Sequence, residues 1–318
     1  MYKSKQPTLA IVIPCFNEEE VLNKTYIEIE KLIKKLISNE LISSRSFALF
    51  VDDGSFDNTW ELIKKFSINN NSIHGIKLSK NEGHQNALLA GMRHVASKCD
   101  CMVSIDADLQ QDMNAIFEML EKYQEGYEIV LGIREDRESD SFFKKITAES
   151  FYKLMQIMGV EIERNHADYR LMSKRALNFF LQFREKNLFI RAMVKKVGLK
   201  TTKVYFKTSK RVAGESKYTL KKMLSFALNG ITSFSVFPLK LITISGFIIF
   251  FFSIIASIDA LYTALFTNNA VPGWASTVLP MYFLGGVELL AIGILGEYIG
   301  KIYTEVKDRP LYFIEEEV

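Results

Sequence analysis

The residues best suited to chemistry are three oxygen-bearing side chains that follow one apolar stretch. Residues 103–105 (Val-Ser-Ile) are typical of the end of a buried strand, and Asp106, Asp108 and Gln110 come directly after them. On an extended segment residues i and i+2 point the same way, so these side chains can converge on one point. Such a set suits Mg²⁺, which proteins hold with one or two carboxylates plus substrate phosphates. A solvated loop after a strand is the alternative interpretation.

The elements that would position these side chains alternate between strands and helices. Short β-branched or apolar runs predict strands at residues 8–13, 47–51, 73–78, 102–105 and 129–133. Periodic stretches between them predict helices, which indicates an α/β fold with a doubly wound, mostly parallel sheet. Ligands of such sheets bind beyond the carboxyl ends of the strands. Because Asn17, Asp53 and Asp106 follow predicted strands, we expect them to line one crevice.

Composition narrows the class of protein and its surroundings. The 318 residues carry 40 Lys and Arg against 37 Asp and Glu, a near balance that does not predict nucleic-acid binding. The three cysteines, Cys15, Cys99 and Cys101, cannot all form disulfides and show no metal-type spacing with the four histidines. A reduced compartment is therefore expected. The first apolar run is broken at Pro14 and followed by acids, so no signal peptide is predicted.

Two long apolar stretches mark the C-terminal part of the chain. Residues 241–266 contain one charge, Asp259, and would span about 39 Å as a helix, more than the roughly 30 Å core of a bilayer. Residues 275–299 carry only Glu288 and Glu297. Basic residues flank the pair on both outer sides, which predicts a transmembrane hairpin with cytoplasmic termini. A charge is costly in a bilayer, so we expect Glu288 to face a helix of the same or a neighbouring subunit.

Six short motifs, in order along the chain, resemble those of one enzyme family. They are residues 14–18 (Pro-Cys-Phe-Asn-Glu), 52–55 (Asp-Asp-Gly-Ser), 106–110 (Asp-Ala-Asp-Leu-Gln), 132–134 (Gly-Ile-Arg), 168–170 (Asp-Tyr-Arg) and 214–218 (Gly-Glu-Ser-Lys-Tyr). Together they resemble the polyisoprenyl-phosphate glycosyltransferases of the inverting GT-A class, which include dolichol-phosphate mannose synthase and the bactoprenol glucosyltransferases. One departure is residues 81–84 (Asn-Glu-Gly-His), where relatives often carry an aromatic residue and a lysine around the glycine.

The resemblance implies a domain plan and a reaction. The plan is a Rossmann-like GT-A domain at 1–217, an amphipathic juxtamembrane segment at 218–240, transmembrane helices at 241–266 and 275–299, and a cytosolic tail at 300–318. The implied reaction moves a sugar, with inversion, from a nucleotide-sugar to polyprenyl phosphate at the cytosolic face of the plasma or inner membrane. Mg²⁺ or Mn²⁺ is the implied cofactor. UDP-glucose is the expected donor, and undecaprenyl phosphate is the expected acceptor in a bacterial source. Assembly into a homo-oligomer is left as an open alternative.

The same resemblance assigns roles to individual residues. Those expected at the nucleotide-sugar are Pro14, Phe16, Asn17, Glu18, Asp52, Asp53, Asp106, Arg211 and Lys217. Those expected in catalysis are Asp106, Asp108, Asp168, Arg134 and Arg137, and the expected metal ligands are Asp108, Asp106 and Gln110. The basic residues would hold the two phosphate groups, because guanidinium forks match phosphate geometry. Alternatives stay open: turn residues for the first pair of aspartates, surface charges for the basic residues, and a buried structural carboxylate for Asp168.

Two other functions share part of this pattern. A processive polysaccharide synthase would share the early motifs, but it should also carry a Gln-x-x-Arg-Trp segment and more membrane spans. The only tryptophans, Trp60 and Trp274, lack that context. A non-catalytic membrane scaffold with a degenerate transferase domain is the second alternative, and the intact Asp106 and Asp108 argue against it.

Overall fold

The chain divides into two compact units, each described here by itself. The computed structural model describes residues 6–135, 165–186, 190–208, 237–266 and 274–318. The first unit holds the sheet and its helices and includes Arg309–Val318, and the second holds two long helices. Three predicted site residues, Arg137, Arg211 and Lys217, lie outside the described residues, as does nearly all of the predicted juxtamembrane segment.

The sheet of the first unit contains eight strands. They are β1 Leu9–Cys15, β2 Phe47–Asp52, β3 Ile73–Leu78, β4 Cys101–Ser104, β5 Ile129–Arg134, β6 His166–Ser173, β7 Thr201–Phe206 and β8 Ile314–Glu317. Their order across the sheet is β7-β5-β6-β4-β1-β2-β3-β8. The pairs β1–β2, β1–β4, β2–β3 and β5–β7 are parallel, whereas β6 and β8 run antiparallel to their neighbours. The predicted α/β fold with a mostly parallel sheet is therefore confirmed.

Six helices accompany these strands among the described residues of the first unit. They are α1 Glu19–Ser38, α2 Thr59–Asn69, α3 His84–Val95, α4 Ala115–Gln124, α5 Lys174–Phe180 and α6 Ile190–Lys196. In α1 the buried residues recur at helical spacing, from Val21 to Leu36, so that one face packs on the sheet. Glu19 and Glu20 lie in its first turn and Lys35 in its last, as the helix dipole favours.

The antiparallel strand β6 brings a carboxylate to the edge where the parallel strands end. This strand runs from His166 to Ser173, so Asp168 lies near its beginning. In the β4–β6 ladder Ser104 lies opposite Arg170, and its hydroxyl donates to the backbone carbonyl of Asp168 at 2.9 Å. Asp106 follows Ser104 by two residues, Asp168 precedes Arg170 by two residues in the antiparallel β6, and the Nε2 of His84 lies 3.7 Å from the first carboxylate and 3.8 Å from the second. Two distant aspartates therefore meet at the carboxyl edge of the sheet.

The strand β8 was not predicted, because its four residues (Ile-Glu-Glu-Glu) have little β-propensity of their own. Pairing with β3 supports it, and the backbone N–H of Val318 donates to Gly75 at 2.9 Å. Its acids have partners on neighbouring elements: Glu316 accepts from the indole N–H of Trp60 on α2 at 2.9 Å, and Glu315 lies 2.9 Å from the ammonium of Lys77 on β3. Part of the predicted cytosolic tail is thus the edge strand of this sheet.

The second unit consists of α7 Phe237–Phe266 and α8 Trp274–Lys307. Both stretches predicted to cross the membrane are helical, and each helix extends beyond its predicted bounds. Within the described residues, Phe283–Lys307 alone is long and apolar enough to cross a bilayer, judged by length and composition. The two-span hairpin therefore stays a prediction.

Candidate active site

The loops after β1 and β2 are tied together by backbone-to-side-chain hydrogen bonds. Asn17, with a left-handed φ of 52°, donates its N–H to the Ser55 hydroxyl at 2.9 Å and accepts from the Phe56 N–H at 2.9 Å. Asparagine tolerates this conformation better than most residues. The Phe16 and Phe56 rings meet edge to face at 6.2 Å, and Phe56 is 87% exposed. These loops are therefore pre-formed, with two aromatic rings at their rim.

The other residues predicted for the nucleotide in the first motif are placed differently. Pro14 is buried in β1, level with Val51, so it shapes the strand from within. Glu18 is partly buried and donates its backbone N–H to the Thr59 hydroxyl at 2.9 Å. Phe16 and Asn17 are thus partly exposed in the loop, whereas Pro14 is buried and supports the strand.

The aspartate pair after β2 is buried and supports the neighbouring loop. Both oxygens of Asp53 accept backbone N–H groups, from Glu82 at 2.8 Å and from Gly83 at 2.9 Å. Asp52 accepts from the Ser55 N–H at 3.2 Å through one oxygen, while its Oδ2 is buried without a hydrogen-bond partner among the described residues. Burial raises the pKa of both carboxyls, and the hydrogen bonds from the backbone oppose that rise.

The turn at Gly54 requires a residue without a side chain. Its φ is +65°, and a Cβ placed there would lie 2.5 Å from the backbone carbon of Lys80. The loop after β2 and the loop after β3 can touch only because this position is glycine. Together with the Asp53 bonds, this contact fixes where α3 begins, and hence where His84 stands.

The predicted metal ligands lie on a tight turn after β4. Asp106 accepts from the Gln111 amide at 2.6 Å, and the Gln111 carbonyl oxygen accepts the Asp106 N–H at 3.1 Å. Desolvation raises the pKa of Asp106, and His84, with its Nε2 3.7 Å from Oδ1, opposes that rise. Asp108 is partly exposed and accepts the Gln110 N–H at 3.1 Å, with Leu109 at a φ of 58°. The buried amide that orients the site is thus Gln111, which the sequence analysis missed.

The two carboxylates on this turn are the kind of ligand that a divalent cation uses when a substrate supplies its remaining ligands. Among the described residues no group of three or more His, Cys, Asp or Glu side chains is arranged to hold a metal ion. Mg²⁺ nevertheless binds through one or two carboxylates and takes its remaining ligands from water and substrate phosphates. Asp106 and Asp108 supply two such carboxylates, and Gln110 adds an amide oxygen. The segment is a turn rather than the extended stretch that the sequence predicted, so the convergence of these side chains on one cation stays a prediction.

Asp168 lies at the centre of a network of basic side chains. Its Oδ1 accepts from the Nη2 of Arg170, which is fully buried, and its Oδ2 accepts from Arg191 through Nε at 3.1 Å and Nη2 at 2.7 Å. Burial alone would raise the pKa of Asp168, but Arg191 and Arg170 outweigh it and hold the pKa well below its usual range. The carboxylate is therefore ionised and is a poor general base.

The remaining predicted cation, Arg134, ends β5 near the same edge. Its N–H donates to the Asn165 carbonyl at 3.2 Å, and its Nε is buried without a hydrogen-bond partner among the described residues. The sequence analysis missed Arg191, because no local spacing connects it to Asp168 across 23 residues. His84 was noted only as a departure from the motif.

Comparison with known proteins identifies the family. The pattern of glycosyl transferase family 2 matches residues 10–187, more than half of the chain. The chain belongs to glycosyl transferase family 2. It is therefore a glycosyltransferase, and the predicted resemblance is confirmed.

Individual relatives of this family 2 chain match along nearly its whole length. It is 50% identical to the Bacillus subtilis (strain 168) protein named uncharacterized glycosyltransferase YkoT, over 98% of this chain and 93% of that protein. It is 38% identical to the Shigella flexneri SfII prophage-derived bactoprenol glucosyl transferase, over 96% of this chain and 97% of that protein. Among solved structures, the mannosyltransferase PcManGT from Pyrobaculum calidifontis, in complex with GDP-Man and Mn²⁺, aligns with a TM-score of 0.46 at 12% identity, over 96% of this chain and 89% of that one.

Proposed function

We propose that this chain transfers glucose from UDP-glucose to a polyprenyl phosphate, undecaprenyl phosphate in a bacterium, with inversion at the cytosolic face of the membrane. The observation that carries the proposal is the 38% identity to a bactoprenol glucosyl transferase over 96% of this chain. That alignment is too long to be limited to the sheet, so it must include much of α7 and α8. A relative that shared only the sugar-transfer chemistry would need to match only the first unit, so a match that includes the second unit supports a shared acceptor as well.

The protonation state of the site favours an acceptor that is already ionised. A sugar hydroxyl needs a general base with a pKa near the working pH. Asp168 does not supply one, because Arg191 and Arg170 hold its pKa well below the usual range. Burial raises the pKa of Asp106, but we assign that carboxylate to the cation. A phosphomonoester has a second pKa of about 6, so it is a nucleophile near neutral pH without further activation. A polyprenyl phosphate is such an acceptor.

The proposed reaction is a single displacement at the sugar C1. An acceptor phosphate oxygen forms a bond to C1 from the face opposite the leaving group, while the bond from C1 to the donor phosphate oxygen breaks. The electron pair leaves with the nucleoside diphosphate, so no proton has to be removed. Asp106 and Asp108 would hold a divalent cation, which neutralises charge on the departing diphosphate. Phe16 and Asn17 would border the nucleotide, and the arginines would orient two anions that otherwise repel each other.

The membrane part of the proposal rests on α7 and α8. Lys221, Lys222 and Lys240 precede the first apolar stretch, and Lys301, Lys307 and Arg309 follow the second. By the positive-inside rule, a two-span hairpin would keep the catalytic domain and both termini in the cytoplasm. This arrangement would bring the active site to the bilayer surface where a lipid phosphate lies. A processive synthase and a non-catalytic scaffold are the competing functions.

The deciding experiment measures transfer of labelled sugar into extractable lipid. Purified full-length protein in nanodiscs with undecaprenyl phosphate is incubated in parallel with UDP-glucose, UDP-GlcNAc and GDP-mannose, each radiolabelled. We expect label in the lipid phase from UDP-glucose, and a β-linked product from the α-linked donor. Label in a water-soluble or high-molecular-weight polymer would favour a processive synthase instead. Absence of transfer and of donor hydrolysis with all three donors would favour the scaffold.

Arg137 provides a prediction on the acceptor side. We expect Arg137→Ala to weaken the use of polyprenyl phosphate at least about tenfold, roughly 1.4 kcal/mol of transition-state binding, because ion pairs to phosphate strengthen as water is excluded. Nucleotide affinity should change much less. The measurement is steady-state kinetics against varied lipid, paired with calorimetric titration of UDP. Equal losses in both would assign Arg137 to the donor diphosphate, and no loss in either would make it a surface charge.

Glu288 provides a prediction about assembly. The residue lies on α8 and is exposed within the single chain, and a charge in a membrane-spanning segment is costly unless it is paired. We therefore expect it to contact a helix of a neighbouring subunit, so that Glu288→Leu alters the oligomeric state in detergent. Light scattering of the purified protein measures that state. Unchanged assembly, stability and activity in the variant would show that Glu288 simply faces lipid or headgroups.

A further inference from the structure

One buried hydroxyl on α1 contacts the turn that carries the predicted metal ligands. Thr25 is fully buried, and its hydroxyl oxygen lies 2.7 Å from the carbonyl oxygen of Ala107 and 3.2 Å from that of Val21. A threonine inside a helix commonly donates to the carbonyl four residues earlier, which here is Val21. A hydroxyl has one hydrogen to donate, and the shorter distance favours Ala107. Thr25 therefore bonds to the turn after β4, far away in the sequence.

The place of this hydroxyl on the helix is unusual for a residue that only packs. The buried residues of α1 are Val21, Leu22, Thr25, Ile29, Leu32, Ile33 and Leu36, and Thr25 is the one polar residue among them. Burying a polar group costs free energy unless the group forms a hydrogen bond. A valine would fill nearly the same volume without that cost. The bond to Ala107 is therefore what the threonine adds at this position.

The residue that accepts this bond lies between the two aspartates of the turn. The side chain of Ala107 is buried in the hydrophobic core, whereas Asp106 and Asp108 on either side of it are partly exposed. Because a peptide unit is planar, holding the Ala107 carbonyl also fixes the direction of the Asp108 N–H. The Thr25 hydroxyl thus orients the peptide unit directly before Asp108.

The turn needs such support because its backbone is strained at one residue. Leu109 has a φ of 58°, a left-handed conformation that a leucine rarely adopts. Residues in such conformations persist only where the surrounding structure holds them. The start of the turn is held by the Ile105 N–H, which donates to a β1 carbonyl at 3.1 Å, and its end by the β-bridge between Gln111 and Thr208. Thr25 holds the turn between these two points.

The helix that carries Thr25 also connects the turn to the first nucleotide loop. α1 begins at Glu19, shortly after Phe16 and Asn17, and Thr25 lies about 9 Å further along its axis. One regular element therefore starts at the predicted nucleotide site and contacts the predicted metal site. Removing a hydrogen-bonding group that orients metal ligands typically weakens metal binding by about 10- to 100-fold.

We propose that Thr25 is a positioning residue for the divalent cation: its hydroxyl fixes the turn so that Asp106 and Asp108 bind the ion together with the donor diphosphate. Thr25 is fully buried and acts through the Ala107 carbonyl rather than on the ion or the substrate. The inference rests on the proposed function in taking these two aspartates as cation ligands. Removing the hydroxyl should therefore weaken metal binding while every ligand remains in place.

The test uses variants that separate the hydroxyl from the volume of the side chain. Thr25→Val removes the hydroxyl and keeps the shape, whereas Thr25→Ser keeps the hydroxyl and removes a methyl group. Thr25→Ala differs from Thr25→Ser by the hydroxyl alone, and it replaces Thr25→Val if that variant does not fold. Ile29→Val is the matched control, because Ile29 is fully buried one turn further along the same face of α1.

The first measurement is calorimetric titration of UDP into the full-length protein in detergent, once with Mn²⁺ and once with EDTA. We expect Mn²⁺ to strengthen UDP binding similarly in wild type, Thr25→Ser and Ile29→Val, and most of that gain to be lost in Thr25→Val. Thermal unfolding supplies the structural reference. Thr25→Ser and Ile29→Val each lose a buried methyl group and should have a lower Tm than wild type. The gain from Mn²⁺ should therefore follow the hydroxyl and not the Tm.

Initial rates of sugar transfer against varied Mn²⁺ are the second measurement. The Mn²⁺ concentration for half-maximal transfer should rise at least about tenfold in Thr25→Val, while the rate at saturating Mn²⁺ returns to near that of wild type. A purely structural role would lower the rate at every Mn²⁺ concentration, and that result would overturn the inference. The same metal dependence in Thr25→Val as in wild type, or an equal change in Thr25→Ser or Ile29→Val, would also overturn it.

The outcomes separate this inference from the proposed function. If no donor yields labelled lipid, but Mn²⁺ strengthens UDP binding only when the Thr25 hydroxyl is present, the proposed function is refuted and the positioning role stands. If labelled lipid forms and UDP binding by the wild type is the same in Mn²⁺ and in EDTA, the positioning role is refuted while the transfer reaction stands.

Discussion

Asp108→Asn is expected to lower sugar transfer at least about 1,000-fold, roughly 4 kcal/mol of transition-state stabilisation, while the protein stays folded. The amide keeps the shape of the side chain but removes the charge that would bind the cation. Its oxygen can still accept the Gln110 N–H that Asp108 accepts at 3.1 Å, so the turn should persist. Because Asp108 is partly exposed, the free energy of unfolding should change by less than about 0.5 kcal/mol.

Initial rates with saturating donor and lipid measure this loss, with a parallel titration of the wild type by EDTA and readdition of Mg²⁺ or Mn²⁺. Asp112→Asn is the matched control. Asp112 accepts the Asn114 N–H at 2.9 Å in the same type of local turn, and it lies outside the pair expected to bind the cation. Near-normal transfer by Asp108→Asn, together with full activity of the wild type in EDTA, would remove the metal-dependent mechanism.

The two carboxylates that meet at the sheet edge are held in different electrostatic states. Asp106 has an amide and an imidazole as neighbours, and desolvation raises its pKa. Asp168 has two guanidinium partners, and its pKa is depressed. Environments that push the pKa values of neighbouring acids apart often mark different roles. We therefore propose different roles for the two residues, with Asp106 at the cation or the sugar and Asp168 holding basic groups in position.

The sequence predicted the parts of the fold whose signals are local. Strands β1 to β5 are apolar runs bounded by turn residues, and the positions of Asn17, Asp53 and Asp106 at strand ends follow from those runs alone. The side chains that orient the site could not be found in this way. Gln110 and Gln111 are the same type of residue, and the sequence does not show which of them turns toward Asp106. The left-handed φ of Leu109 sets the direction of the chain here, and it is Gln111 that bonds to Asp106.

The contacts missed from the sequence are those between elements that lie far apart along the chain. Arg191 reaches Asp168 only because β6 runs antiparallel to β4 and α6 packs near it. The strand β8 depends on partners more than 230 residues away, such as Trp60, and its own residues have little tendency to form a strand. Pairing of this kind is set by tertiary packing rather than by local propensity.

The same network predicts a large change in stability. We expect Asp168→Asn to lower the free energy of unfolding of the catalytic unit by about 3 kcal/mol, because breaking a buried ion pair leaves an uncompensated charge. Arg170 is fully buried, and Asp168 is its partner on β6. Asparagine keeps an acceptor oxygen but not the charge, so the guanidinium would remain buried against a neutral group. The double variant Asp168→Asn/Arg170→Gln removes that charge and should recover part of the loss.

The sign of the pH dependence follows from the direction of the pKa shift. The folded pKa of Asp168 lies well below its unfolded value of about 3.9, so its ionised form stabilises the protein fully above about pH 5. That stabilisation is lost as the pH falls through the folded pKa. The difference in thermal unfolding between wild type and Asp168→Asn should therefore be constant from about pH 5 to 8 and should narrow below about pH 4. Circular dichroism melts in detergent measure it, with Asp112→Asn as the control. A difference that vanishes at pH 7, or that widens in acid, would mean that Asp168 does not hold these arginines as an ionised partner.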